Sequence, residues 1–462
     1  MKLTMIFVAA ALSVFGAVDG EAATYTFEHV TVIDGRDHPP QRDMSVVVED
    51  GRFVSILPSR IAGPPHGHAI DGRGKYLIPG LMDIHAHVGG WSRGAHGEIV
   101  VDRKAAEEAL AAYLYCGVTT ILDVGNQPEN ILPLRADERT GRIRAPHIYA
   151  TGNAVTYPGG HGADVSIPVR SWPEAEAQLQ AQIDSQQPDV QKIMYDEEGW
   201  GARAQIPMLP LDLLRHIIEF YNDHGIRTTI HVSSETRARE AIFAGVDSLA
   251  HTPLQGPVSE RFVKLMAAKQ IPAASTIAVG DNYGRLHVDP GFLDLPLYVA
   301  TMPPEQRAKL KEVAAQGGET ALPGSPPLYR RTWRLWMQSQ VPILQDNLRR
   351  IDAAGGVIAA GTDTGTAAST QRELELLSQA GIPNLEVIRI ATYNGARLLG
   401  KQDEMGSIEE GKIADAVLLN ADPLARINNT QNIALVMKAG DIIDESKLPL
   451  SGGRQTRRYN GG

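Results

Sequence analysis

Short apolar runs alternate with amphipathic stretches through most of this chain. The runs Leu81–Val88, Val118–Val124, His147–Val155, Asp189–Tyr195, Thr228–Val232, Ser248–His251, Ile271–Val279 and Val357–Asp363 read as strands. Helical spacing fills the gaps, as at Leu211, Leu214, Ile217, Ile218 and Tyr221. Ser233 or Ser234 is placed to cap the following helix and Gly245 to stop it. Strand–helix alternation of this kind predicts an α/β fold with a parallel sheet, and eight such units predict a closed (β/α)8 barrel.

The ends have a different texture. Tyr25–Ile33, Met44–Glu49 and Arg52–Leu57 are strand-like, with Asp50-Gly51 as a hairpin signal, and Asp415–Asn420 and Leu435–Ile443 are β-like as well. Residues 281–345 are rich in Pro and Gly, then helical around Tyr329–Met337, and are expected to form a lid insertion. Lys2, the apolar run Met5–Val18 and the small residues Gly20, Ala22 and Ala23 have the layout of a secretory signal peptide. A periplasmic or secreted location is therefore expected. The run is too short to span a bilayer comfortably. The expected division is a signal peptide over 1–23, β-rich segments over 24–77 and 401–448, a barrel over 78–400, and a disordered tail over 449–462.

Composition narrows the function classes. The 462 residues are 43% hydrophobic and 21% charged, with a net charge of −10, so the basic footprint of a nucleic-acid binder is absent. A single cysteine, Cys116, excludes an intramolecular disulfide and reads as a small buried hydrophobe. Neither a Gly-x-Ser-x-Gly nor a Cys-x-x-Cys motif occurs.

The candidate chemistry lies at the ends of the predicted strands: His85-Ala86-His87, Lys192, His231, His251 and Asp363. Residues two apart on a strand point the same way, so His85 and His87 aim together. A closed barrel gathers the other strand ends at one rim, where the active sites of such barrels lie. Imidazole and carboxylate donors suit zinc or a similar divalent ion.

With Leu77-Ile-Pro-Gly-Leu-Met-Asp83, Ala391-Thr-Tyr-Asn-Gly-Ala-Arg-Leu-Leu-Gly400 and Gly406-Ser-Ile-Glu-Glu-Gly-Lys-Ile-Ala-Asp-Ala-Val-Leu-Leu419, these residues resemble the amidohydrolase superfamily. The likeness is greatest to its branch of imidazolonepropionase-like enzymes and Xaa-Pro or Xaa-Arg dipeptidases. The resemblance implies a TIM-like barrel beside a small β-sandwich made from both chain ends. It implies two divalent ions, with zinc as the expected metal. His85, His87 and Asp363 would hold the first ion, His231 and His251 the second, and a CO2-carboxylated Lys192 would bridge them. A hydroxide shared by the ions would attack a C–N amide bond, with Asp363 as proton shuttle. The expected substrate is a dipeptide or an N-acyl amino acid. A cyclic amide, an aryl-amide or a urea is the alternative, and a metal-binding protein without turnover is the non-enzymatic one. Self-association into a homo-oligomer is left open.

Other residues are assigned more loosely. His161, in Tyr157-Pro-Gly-Gly-His-Gly162, either faces substrate or stabilises its loop, and Tyr195 either binds a substrate oxygen or packs in the barrel. Asp83 and Asp123 either orient ligand histidines or make structural hydrogen bonds. Arg330, Arg331, Arg334, Trp333 and Trp336 read as a solvated amphipathic helix, with recognition of an anionic or aromatic group as the alternative.

Overall fold

The computed structural model describes residues 23–94, 97–198, 205–315 and 331–452. The expected signal peptide but for Ala23, residues 316–330 of the expected lid and the end of the expected tail lie outside the described residues.

Eight strands form the barrel: β1 (Leu81–Ala86), β2 (Val118–Asp123), β3 (His147–Ala150), β4 (Val190–Met194), β5 (Arg227–His231), β6 (Ser248–Leu249), β7 (Ala273–Ala274) and β8 (Ile358–Ala359). Neighbours pair in parallel along β1–β2–β3 and β4–β5–β6–β7–β8. The two arcs meet where Asp189 N donates to Ala150 O at 3.0 Å and Ile84 N donates to Ala360 O at 3.0 Å. The strands are buried along their whole length on both faces, rather than on alternate residues.

The helix Leu211–Asp223 buries Leu214, Ile217, Ile218 and Tyr221 as its spacing predicts, with Leu213 buried and Leu211 only half-buried at its start. Ser234 caps the next helix by accepting from Arg237 N, and Gly245, at φ 98°, ends it in a left-handed turn. Cys116 is fully buried where the helix Arg103–Tyr115 ends.

Both chain ends enter one eight-stranded sheet, because Ala416–Leu419 pairs antiparallel with Tyr76–Pro79. Asp50 and Gly51, both at positive φ, make the tight turn between Gln41–Glu49 and Arg52–Pro58. Phe27, Val46, Phe53, Leu418 and Met437 give this sheet a core of its own.

The sequence reading fails most at Ile271–Val279. Only Ala273–Ala274 is strand; Thr276 turns left-handed at φ 47°, and helix α1 (Ile277–Val288) begins one residue later. A second long helix, α2 (Arg331–Ala353), packs against α1 through Gly280 and Gly284. The helix read as solvated is not so: Arg334 is 1% exposed and Trp333 9%.

Candidate metal centre

Each predicted ligand reaches the same rim. His85 is on β1 with His87 just beyond it, Lys192 is on β4, His231 ends β5, and His251 follows β6 by two residues. Asp363 follows β8, and two features hold it there. Its backbone is left-handed at φ 53°, a conformation that aspartate tolerates better than most residues. At Gly361 a Cβ would fall 2.6 Å from His85 Cβ, so only glycine lets this strand end lie so close to β1. Asp363 N then donates to His85 O at 2.7 Å.

The side chains converge. Asp363 Oδ1 lies 3.2 Å from His85 Nε2 and 2.9 Å from His87 Nε2. Lys192 Nζ is 3.5 Å from His85 Nε2. The His251 ring is 4.4 Å from that of His85 and 4.6 Å from that of His231. Among the described residues, two groups of donor atoms are tight enough to hold an ion: His85, His251 and Asp363, and His161, Asp196 and His231. The grouping thus differs from the sequence assignment, which paired His231 with His251 and omitted Asp196.

Asp196 is the functional-site residue that the sequence reading missed. It is 2% exposed, with Oδ2 at 3.2 Å from His231 Nε2 and 3.6 Å from His161 Nδ1. Ser233 Oγ and Glu198 N both donate to its other oxygen at 2.9 Å. His161 stacks on His231 with ring centroids 4.1 Å apart. Its loop is pinned by Thr156 Oγ1, which donates to His161 O at 2.8 Å. His161 therefore stands against His231 and Asp196, in one of the two candidate ligand groups.

Tyr195 is turned away from the cluster. Its hydroxyl donates to Glu240 at 2.9 Å, and Arg237 stacks over its ring. Lys192 faces inward, so by strand alternation residue 195 faces outward. Asp83 and Asp123 do not touch the histidine rings. Asp83 Oδ1 accepts from His85 N and Thr362 N, clamping β1 to the β8 end. Asp123 accepts from Val88 N at 2.7 Å.

Ring orientation falls to acceptors along the rim. His85 Nδ1 is 2.6 Å from Ala250 O, His87 Nδ1 is 3.2 Å from Gly125 O, and His251 Nδ1 is 3.1 Å from Thr276 Oγ1. A carbonyl only accepts, so Nδ1 of His85 and of His87 carries the proton and Nε2 presents its lone pair. Such a donor set fits a divalent metal.

Electrostatics agree. Burial, then the Lys192 charge, push His85 down to about 3. Burial followed by His231 does the same to His161. Burial lowers Lys192 to about 8, which favours its neutral amine. Burial alone would raise Asp363, but His85 and His87 hold it well below the usual carboxylate range.

The sequence profile of the amidohydrolase family matches residues 76–443. The ochratoxinase of Aspergillus niger is 23% identical over 471 residues, covering 91% of this chain and 87% of its own. An imidazolonepropionase of Caldanaerobacter subterraneus is 22% identical, covering 86% of this chain and 90% of its own. Among solved structures, a Xaa-Pro dipeptidase with methionine bound in its active site superposes with a TM-score of 0.72. It is 22% identical and covers 91% of this chain and all of its own, a likeness of fold.

Proposed function

This chain belongs to the amidohydrolase family and is a hydrolase of carbon–nitrogen bonds, and from that premise we propose that it cleaves the amide of a dipeptide or an N-acyl amino acid. The observation that carries the reading is Asp363, a carboxylate held between His85 and His87 at the mouth of the cluster. A pure metal binder has no need of a proton acceptor in that place.

His85, His87, His251 and Asp363 would hold one divalent ion and His231 the second, with Lys192 between them. Asp196 and His161 stand in ligand range of the second position. We take zinc as the metal. Bound there, such ions lower the pKa of water from about 15.7 towards 7 and polarise a carbonyl. The chain's own residues do the rest. Asp363 takes the proton that the attacking water loses and hands it to the departing nitrogen. The neutral Lys192 amine adds CO2, releasing one proton and leaving a carbamate anion where an ammonium would repel metal. Burial of Lys192 supports this step. The leader Met5–Val18 supports export to the periplasm or medium. No helix among the described residues is long and apolar enough to cross a membrane.

The test is amine release from a panel of dipeptides, N-acyl amino acids, lactams, anilides and aryl ureas. The mature, zinc-loaded protein is assayed in bicarbonate, with Asp363→Ala as blank. Turnover of dipeptides or acyl amino acids, absent in the blank, is expected. Turnover confined to lactams, anilides or ureas refutes the substrate reading.

A further inference from the structure

Helix α1 is capped from another element. Thr276 occupies its N-cap, where a threonine hydroxyl ordinarily accepts from the second or third N–H of the helix. This hydroxyl makes no such bond. The backbone of Thr276 is left-handed, at φ 47° and ψ 38°, instead of extended as at an ordinary cap. Thr276 N donates to Gly361 O at 3.0 Å, which fastens the chain after β7 to the chain after β8. Its Oγ1 lies 3.1 Å from His251 Nδ1.

The helix N–H groups are met instead by Glu373, on the helix Ala368–Gln379. One oxygen of its carboxylate accepts from Ile277 N at 3.0 Å and the other from Ala278 N at 2.6 Å. The charge also stands at the positive end of α1. The arrangement is costly. Glu373 is fully buried, and burial raises it to about 7 against those two hydrogen bonds. Capping alone does not call for a buried charge, because a Thr276 hydroxyl turned onto the helix would satisfy Ala278 N without one.

What the carboxylate changes is the partner of that hydroxyl. We infer that Glu373 is a positioning residue for the metal centre: by capping α1 in place of Thr276, it commits the Thr276 hydroxyl to His251 Nδ1 and so sets the ring that completes the donor group of His85, His251 and Asp363. A hydroxyl that accepts from Nδ1–H leaves the lone pair on Nε2, the form a metal ligand needs. Glu373 itself belongs to neither donor group and acts on the ring through Thr276. The inference rests on the reading of His251 as a metal ligand.

The experiment uses the mature chain and has two arms. The first is the crystal structure of metal-free Glu373→Gln beside that of the metal-free wild type. Glutamine keeps the shape of Glu373, but its one oxygen serves one N–H and its NH2 opposes the other. The Thr276 hydroxyl should then turn onto α1 and move beyond ~3.5 Å from His251 Nδ1, out of hydrogen-bond range. A contact that stays at its wild-type length overturns the inference. This arm needs no metal. A chain that proves to hold no zinc refutes the metal reading, and the position of the hydroxyl still decides what Glu373 does. Should Glu373→Gln fail to fold, Glu373→Asp, too short to reach both N–H groups, takes its place.

The second arm follows zinc retention against a chelator. Glu373→Gln and Thr276→Val should each weaken it about 10- to 100-fold, the range for groups that orient ligands. Thr276→Ser, which restores the hydroxyl, should hold zinc as the wild type does. In the double variant Glu373→Gln/Thr276→Val the loss should match that of Thr276→Val alone, because both changes act through one hydroxyl. Gly284→Leu disturbs the packing of α1 well beyond its cap and should keep its zinc. Losses that multiply in the double variant, or an equal loss in Gly284→Leu, make the effect a general loosening of α1 and overturn the inference.

Discussion

Oδ2 of Asp196 lies 3.2 Å from Nε2 of His231, an aspartate just past the end of one barrel strand against a histidine at the end of the next. Asp196 in turn is fixed by Ser233 Oγ and Glu198 N, both 2.9 Å from its other oxygen. A carboxylate so placed either contributes to an ion beside His231 or holds that ring in register. Asp196→Ala should weaken metal retention by about 10- to 100-fold, the range for groups supporting ligands. Asp196→Asn keeps the shape without the charge and should lie between. Metal per chain, followed against a chelator, checks this. Unchanged retention in both variants removes Asp196 from the metal centre.

Lys192 is 1% exposed and sits 3.5 Å from His85 Nε2, too close for an ammonium to be welcome beside cations. Lys192→Ala should lose one equivalent of metal and lower kcat by ~100-fold or more, since a bridging ligand should cost at least as much as the groups that support ligands. Bicarbonate should speed metal uptake by the wild type and leave the variant unaffected. Near-normal turnover in Lys192→Ala would show that no bridge forms at this position.

Strand-end parity explains which site residues were legible. His85, His87, His231 and His251 sit at or just past the ends of apolar runs, where alternation fixes their direction. The same rule carried four positions beyond Lys192 finds Asp196, which shares its parity, and turns Tyr195 outward. Asp196 lies one residue beyond the apolar run Asp189–Tyr195, at the head of the acidic run Asp196-Glu-Glu198, and so falls outside the strand-end pattern. Arg334 was hidden by a different error. Ile271–Val279 reads as a strand, which leaves α2 without the helix α1 to bury against. Thr276 is the cause: a β-branched residue at φ 47° ends the strand, and no propensity signals that. Its hydroxyl lies 3.1 Å from His251 Nδ1, so the unusual backbone stands at the site.

At the other end of the barrel, His147 ties the strand β3 to the end of the terminal β-sheet. It lies 3.3 Å from Glu138 and 3.2 Å from Asp415, while Lys438 contacts Glu138 at 2.6 Å. Burial opposes its charge, but Asp415 and Glu138 raise it to about 9. The folded pKa is above the ordinary value of about 6.5. The stabilisation is therefore complete below pH 6.5 and lost as pH climbs through 9. It should amount to a few kcal/mol. His147→Gln should lower Tm near pH 6 and flatten the decline between pH 6.5 and 9. Parallel Tm–pH curves for variant and wild type would rule out the linkage.

Gly284 permits a close approach of α2 to α1. A Cβ there would fall 2.2 Å from Gln338 Cβ, and one at Gly280 would fall 3.2 Å from Met337 O. The first clash is with a side-chain atom close to the α2 backbone, so α2 must move rather than a flexible tip. Gly284→Leu should therefore cost about 1–3 kcal/mol, the usual penalty of overpacking. Gly284→Ala, with less bulk and a better helix propensity, should cost less. Because α1 and α2 carry Tyr283 and Arg334 on the wall of a cavity that His87 and Asp363 also line, the shift should also raise KM while metal content stays constant. Thermal melts, metal analysis and initial rates on the purified variants separate these effects. A Gly284→Leu protein as stable as wild type would mean that the two helices have room to part without cost.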